Sequence, residues 1–176
     1  RILFVGDIVG NPGRKAAKEL VNRIKKNKCV DYCIANCENA AGGNGITYAV
    51  AQELYNAGID AITMGNHTWS KKEIAGFIDM DPRIVRPANY PAELPGKGST
   101  IIEGDKGGIG VINVMGRVYM ESIDCPFRAA EREIEYLKNF SDRSPNKKRV
   151  LNNYQTPSSV FLHSKCIIEC TGNIGI

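Results

Sequence analysis

Three features of this 176-residue chain predict an α/β fold, a layered sheet with flanking helices. A short apolar run, a polar loop and a helical pattern follow one another three times in the first 80 residues. That rhythm calls for βαβ construction and a parallel sheet. The apolar runs are continuous rather than alternating, as in strands covered on both faces. Composition agrees, with 43% hydrophobic and 24% charged residues. Such values exclude a disordered, collagen-like or coiled-coil chain. The length is that of one domain with a sizeable core.

Residues 2–6, Ile-Leu-Phe-Val-Gly, form the first expected strand, buried on both faces. Asn11-Pro12-Gly13 opens a helix, with proline suited to the first turn. Ala16, Ala17, Leu20, Val21 and Ile24 give it an apolar face, and Lys25, Lys26 and Lys28 suit its C-terminal end. The second strand spans about 31–37 and leads into a glycine-rich loop over Glu38–Gly45. Thr47 is placed to cap a helix through Asn56, ended by Gly58. The third strand spans about 59–64. Ser70-Lys71-Lys72-Glu73 then has the form of a capping box opening a further helix. Short strands are expected near 83–86, 99–103 and 109–114, the last two joined by a hairpin over Gly104–Gly108. Pro126 starts a helix through about Phe140 with Ala129, Ala130, Ile134 and Leu137 inward. Beyond it the chain turns polar up to Ser159 and has no helix or strand period. Val160-Phe161-Leu162 and Cys166-Ile167-Ile168 are the last apolar stretches. The expected division is therefore an α/β domain over 1–140 and a divergent polar tail over 141–176.

The net charge of +4 is unevenly placed. Residues 1–140 carry 18 basic and 17 acidic side chains, and residues 141–176 carry 5 and 2. A nearly neutral body argues against an extended nucleic-acid surface, and the excess reads as a solvated tail. No apolar run approaches the ~18–20 residues of a membrane helix. No basic-then-apolar leader opens the sequence, so a cytoplasmic location is expected. Cys29, Cys33 and Cys37 lack the spacing of a zinc knuckle. On a strand, Cys33 and Cys37 would lie about 13 Å apart at ~3.3 Å per residue, too far to share an ion. They read as small buried hydrophobes and, as free thiols, suit a reducing compartment.

In open α/β sheets ligands gather beyond the C-terminal ends of parallel strands. Here the first strand delivers Asp7, the second Glu38 and Asn39, and the third Asn66 and His67. Each residue alone is explained by turn or cap chemistry. Their recurrence at three successive strand ends points to a site. Two carboxylates and two amides are oxygen donors for a divalent ion. Paired ions clamp phosphates, and a nearby histidine can protonate a leaving oxygen. The loop Gly42–Gly45 carries neither a Walker pattern nor G-x-G-x-x-G. The first strand ends in Gly-Asp-Ile-Val-Gly, a poor match to nicotinamide dehydrogenases.

Five stretches carry a resemblance to a known family. They are Gly6-Asp7-Ile8-Val9-Gly10-Asn11-Pro12-Gly13-Arg14, Asn36-Cys37-Glu38-Asn39-Ala40-Ala41-Gly42-Gly43-Asn44-Gly45, Ala61-Ile62-Thr63-Met64-Gly65-Asn66-His67-Thr68-Trp69, Val85-Arg86-Pro87-Ala88-Asn89-Tyr90-Pro91 and Pro95-Gly96-Lys97-Gly98. Over about residues 1–140 the chain resembles the YmdB-like family of calcineurin-type metallophosphoesterases. The resemblance implies a metallophosphoesterase-like fold and a dinuclear site of iron or manganese. It also implies hydrolysis of phosphodiesters, with nucleoside 2′,3′-cyclic monophosphates as the substrate class and metal-bound hydroxide as nucleophile. It makes Asp7 a ligand of one metal, Glu38 the bridging carboxylate, Asn39 and Asn66 ligands of the second metal, and His67 the acid.

The family pattern continues with a histidine after a buried strand and a later Gly-x-His-x-His, neither present in this sequence. The C-terminal part is accordingly expected to be truncated, divergent or out of frame. His163 is read as an ordinary tail histidine rather than a ligand. Asp7, Glu38, Asn39 and Asn66 alone would hold one ion weakly, or none. The alternative to a phosphodiesterase is a catalytically incompetent regulatory or nucleotide- and phosphate-binding module. The expected partner is a small phosphodiester or cyclic nucleotide, with no membrane; assembly into a homo-oligomer is left open.

Overall fold

The computed structural model describes residues 1–105, 107–143, 160–163 and 166–171, with residues 140–143 and everything from 160 onward described as backbone alone. Strand β1 (Ile2–Val5) leads to helix α1 (Gly10–Lys28), strand β2 (Tyr32–Asn36), helix α2 (Tyr48–Asn56) and strand β3 (Ala61–Thr63). A short 3₁₀ helix (Lys72–Gly76) precedes strand β4 (Ile84–Val85). Then come β5 (Ser99–Ile102), β6 (Ile109–Met115), helix α3 (Pro126–Arg143), β7 (Val160–His163) and β8 (Cys166–Thr171). The chain divides into two compact units, Arg1–Ile84 and Val85–Ile176.

The first sheet has the order β1-β2-β3-β4, with β1 parallel to β2 and β2 parallel to β3, as the repeated strand–loop–helix pattern requires. The register pairs Val5 with Ala35 and Asn36 with Thr63. Leu3, Val5, Cys33, Ala35 and Ile62 share the face that packs into the main core, together with Ala17, Val21, Ala51 and Leu54 of the two helices. β2 is buried throughout. β1, expected to be covered on both faces, is only partly so, and Ile2 is 39% exposed. Among the described residues it pairs with β2 alone, so it lacks the cover that a second neighbour gives.

Helix α1 buries a narrower stripe than its sequence suggested. Ala17 and Val21 are buried, while Ala16 and Leu20 are exposed. Positions 17, 21 and 24 follow one line along the helix, and 16 and 20 lie about 100° off it. The helix ends at Cys29, in a left-handed conformation at φ 50°. The Val30 N–H then returns to the Lys25 carbonyl at 2.9 Å. Cys29 is therefore exposed, contrary to the reading of all three early cysteines as buried, whereas Cys33 and Cys37 are fully buried. Lys25 reaches the Gly58 carbonyl and Asp60, tying the end of α1 to the turn before β3. Thr47 caps α2 as expected, its Oγ1 accepting from the Val50 N–H at 3.3 Å.

The capping box at Ser70–Glu73 does not form. The turn that follows is 3₁₀, and Lys71 precedes it without a side-chain cap. Glu73 instead accepts from the Tyr48 N–H at 2.9 Å, so it serves the start of α2. A distant orphan donor thus wins over the local one.

In the second unit β5 and β6 form the expected antiparallel hairpin, with Ile102 opposite Ile109 and the Gly107 N–H donating to the Gly104 carbonyl at 2.9 Å. The second sheet has the order β5-β6-β8-β7; β8 runs parallel to β6 and antiparallel to β7. Both late apolar stretches are thus strands. The boundary expected at residue 140 falls inside α3. The polar stretch 144–159 lies outside the described residues. Ala129 and Leu137 of α3, with Ala130 and Ile134 beside them, pack on Ile112, Val114 and Ala88, as the helical spacing predicted. Among the described residues, no helix is long and apolar enough to cross a membrane.

Candidate active site

All five expected site residues lie in the first unit, just past the ends of β1, β2 and β3. Backbone bonds continue the parallel ladder into the site. Ile8 N–H donates to the Asn36 carbonyl at 2.9 Å, and Cys37 N–H to the Thr63 carbonyl at 3.0 Å. The three strand ends therefore stay in register where their side chains turn polar.

Asp7 adopts φ 36°, in the left-handed region that few residues other than glycine visit. Its Oδ1 accepts from the Asn39 Nδ2 at 2.8 Å. That bond fixes which way the Asn39 amide faces and leaves its oxygen for a cation. The Asn39 carbonyl accepts from the N–H groups of Gly10 (2.9 Å) and Gly43 (3.2 Å), which hold the loop against the start of α1. The Gly45 N–H donates to the Glu38 carbonyl, and the Ala41 N–H to the Gly45 carbonyl at 2.9 Å. The glycine-rich stretch thus closes on itself, with Gly42, Gly43 and Gly45 all at positive φ.

Glu38 is only 8% exposed. Its Oε2 accepts from the His67 backbone N–H at 3.0 Å. Its carboxylate lies over Gly65, where any Cβ would collide with both oxygens. Asn66, between Gly65 and His67, is exposed, and His67 is half-buried. The His67 ring meets Ser70 Oγ through Nδ1 at 3.2 Å. A run of direct contacts therefore joins Asp7 to Asn39 and Glu38 to His67 and Ser70, with Asn66 inside the last turn.

The donor set suits a hard divalent cation: two carboxylates and two amide oxygens, with the Asn39 amide turned by Asp7. Among the described residues, no group of three or more His, Cys, Asp or Glu side chains gathers to hold a metal. The two carboxylates among the described site residues, Asp7 and Glu38, come with two asparagines and one histidine, His67. His163 ends β7, and its side chain lies outside the described residues.

Within the turn after β3, Ser70 and Gly65 are not legible as site residues in the sequence. The sequence reads Ser70 as a cap, yet it contacts the histidine three positions earlier, a spacing that a tight turn brings together. Gly65 carried no role, although a glycine directly before Asn66-His67 signals a close approach.

The family model described as YmdB-like protein matches residues 3–147. The chain is 46% identical over 145 residues to a 2′,3′-cyclic-nucleotide 2′-phosphodiesterase of Bacillus subtilis (strain 168), an alignment covering 82% of this chain and 54% of that one. The chain spans about half the length of the curated relatives it matches. Among solved structures, a hypothetical protein from Thermus thermophilus matches with a TM-score of 0.72 at 27% identity, covering 97% of this chain and 75% of that one. A novel phosphatase from Mycoplasma pneumoniae matches with a TM-score of 0.70 at 31% identity, covering 77% and 50%.

Proposed function

Since the chain belongs to the YmdB-like protein family, we propose that it acts as a metal-dependent phosphodiesterase on nucleoside 2′,3′-cyclic monophosphates. The observation that carries this reading is the contact run Asp7–Asn39 and Glu38–His67–Ser70 at three adjacent strand ends. The resemblance to the Bacillus subtilis 2′,3′-cyclic-nucleotide 2′-phosphodiesterase suggests the substrate class.

Asp7, Glu38, Asn39 and Asn66 are the proposed ligands, and iron or manganese the proposed cofactor. These side chains would hold a divalent ion, which would supply a Lewis acid for a phosphoryl oxygen and lower the pKa of bound water. The buried Glu38 carboxylate is kept in place by the His67 N–H and by the space over Gly65. Asn39 and Asp7 orient one another. His67, whose Nδ1 meets Ser70 Oγ, is the proposed acid: its Nε2 would hand a proton to the departing ribose oxygen as the phosphorus–oxygen bond breaks. A water oxygen bonds to phosphorus in the same displacement and releases a proton to solvent, which offsets the one His67 gives up, so the ester P–O bond is replaced by a phosphate oxygen and a ribose hydroxyl. The free thiols suit a reducing cytoplasm.

The test is hydrolysis of a nucleoside 2′,3′-cyclic monophosphate by the chain loaded with Mn²⁺ and desalted, with products separated by ion exchange. The expected result is turnover that Glu38→Gln abolishes. His67→Ala should lower kcat by about 10²–10⁴-fold with little change in KM. Turnover persisting in Glu38→Gln overturns the reading. Saturable nucleotide binding without turnover replaces it with a binding module.

A further inference from the structure

One residue of the Gly6–Arg14 stretch is not among the proposed ligands and still reaches their loop. Arg14 stands in the second turn of α1, and its side chain is 17% exposed. Its Nη1 donates to the Ala40 carbonyl at 2.7 Å, and its Nε donates to Glu53 Oε2, on α2, at 3.0 Å. Lys18, one turn further along α1, holds the other Glu53 oxygen at 3.2 Å. Glu53 thus orients the guanidinium, and the guanidinium holds the loop. Ala40 is fully buried and directly follows Asn39. The neighbouring carbonyls of Glu38, Asn39 and Gly45 accept from backbone N–H groups of the same loop or of Gly10, whereas Arg14 reaches a carbonyl of this loop with its side chain. A charged donor to a buried carbonyl is short and directional, and it fixes the peptide unit whose carbonyl it takes.

We propose that Arg14 is a positioning residue, which, oriented by Glu53, holds the Ala40 carbonyl and so sets the Glu38–Asn39 segment for binding a divalent ion. The inference rests on the metal-dependent reading of the same site. Its competitor is a purely structural role, in which Arg14 merely ties α1 to α2 through Glu53.

The reciprocal exchange Arg14→Glu with Glu53→Arg separates the two. It restores an ion pair between the helices but leaves the Ala40 carbonyl without its donor. Two readouts are taken on the full chain: the Mn²⁺ binding isotherm, and amide hydrogen exchange over residues 38–45. With Tm near the wild-type value, the expected result is Mn²⁺ affinity weakened about tenfold and faster exchange at Ala41, Gly43 and Gly45. Wild-type affinity and wild-type exchange in the double variant overturn the proposal. If the exchanged pair does not fold, Arg14→Lys takes its place. A single ammonium cannot hold both Glu53 and Ala40 in the guanidinium's geometry, so the same changes are expected in smaller measure. Their absence is equally decisive. If the wild-type chain takes up no Mn²⁺, the metal-dependent reading fails by itself. The exchange arm then judges Arg14, unchanged loop protection counting against it.

Discussion

At the scale of single residues, the site depends on small groups that leave room for larger ones. Gly65 is the clearest case, because a methyl there would occupy the space of the Glu38 carboxylate. Gly65→Ala should weaken Mn²⁺ binding about tenfold or more, by displacing the proposed ligand Glu38 rather than removing it; a calorimetric titration equal to wild type would refute the steric argument. The cysteines separate by environment in the same way. Burial pushes the Cys33 thiol up to about 11, opposed by Lys25 and reinforced by Asp60. Backbone N–H groups of Arg128 and Phe127 at the start of α3, with Arg117 and Arg128 nearby, outweigh burial and hold Cys125 below the usual thiol range. Brief iodoacetamide treatment near neutral pH should alkylate Cys125 first, then exposed Cys29, and spare Cys33 and Cys37 until the chain unfolds. Peptide mass spectrometry reads the order, and early labelling of Cys33 contradicts it. The placing of Asp7, Glu38, Asn39, Asn66 and His67 past three strand ends is legible in the sequence because strand ends mark themselves by a switch from apolar to polar. Gly65, Ser70 and Arg14 are not, since their roles arise from approaches across the fold.

At the scale of elements, α1 and α2 are joined by the Arg14–Glu53–Lys18 cluster. Burial alone would raise the Glu53 carboxyl. The Lys18 hydrogen bond, the charges of Arg14 and Lys18, and the Arg14 hydrogen bond outweigh it and hold the group below its ordinary value of 4.5. A carboxylate with a lowered folded-state pKa contributes its stability in full above the unfolded value. That contribution fades as pH falls through the folded one. In Glu53→Gln, Tm measured from about pH 6 down to about pH 3 should therefore fall less steeply with acid than in wild type. An unchanged slope would mean that the cluster adds nothing. Helix α2 and its Thr47 cap were legible because a cap is a local signal. The 3₁₀ turn at Lys72–Gly76 was not. Its apparent capping residues bond elsewhere, Ser70 to His67 and Glu73 to Tyr48. The narrow stripe of α1 shows the related limit: period alone does not say how wide the covered face is.

At the scale of the whole molecule, the alternation of strands and helices was enough to foresee the parallel first sheet. Pairing β8 beside β6 joins residues more than fifty positions apart, and no local pattern encodes that. The charge distribution gives a whole-chain expectation. Residues 1–140 are nearly neutral, and Lys147, Lys148 and Arg149 concentrate the basic excess. Any association with a single-stranded RNA oligonucleotide at low salt should therefore be weak, and neutralising those three side chains to Gln should remove it. Fluorescence anisotropy would show this, and binding that survives the substitutions would place a basic surface elsewhere.

The left-handed backbone at Asp7 sets folding against function. A side chain in that conformation is tolerated at a cost that glycine does not bear. Asp7→Gly should therefore leave the urea midpoint unchanged or raise it, while the proposed cation site loses a carboxylate. A fold optimised for durability alone would prefer glycine at position 7, and selection for a hardier variant would drift toward an inert one.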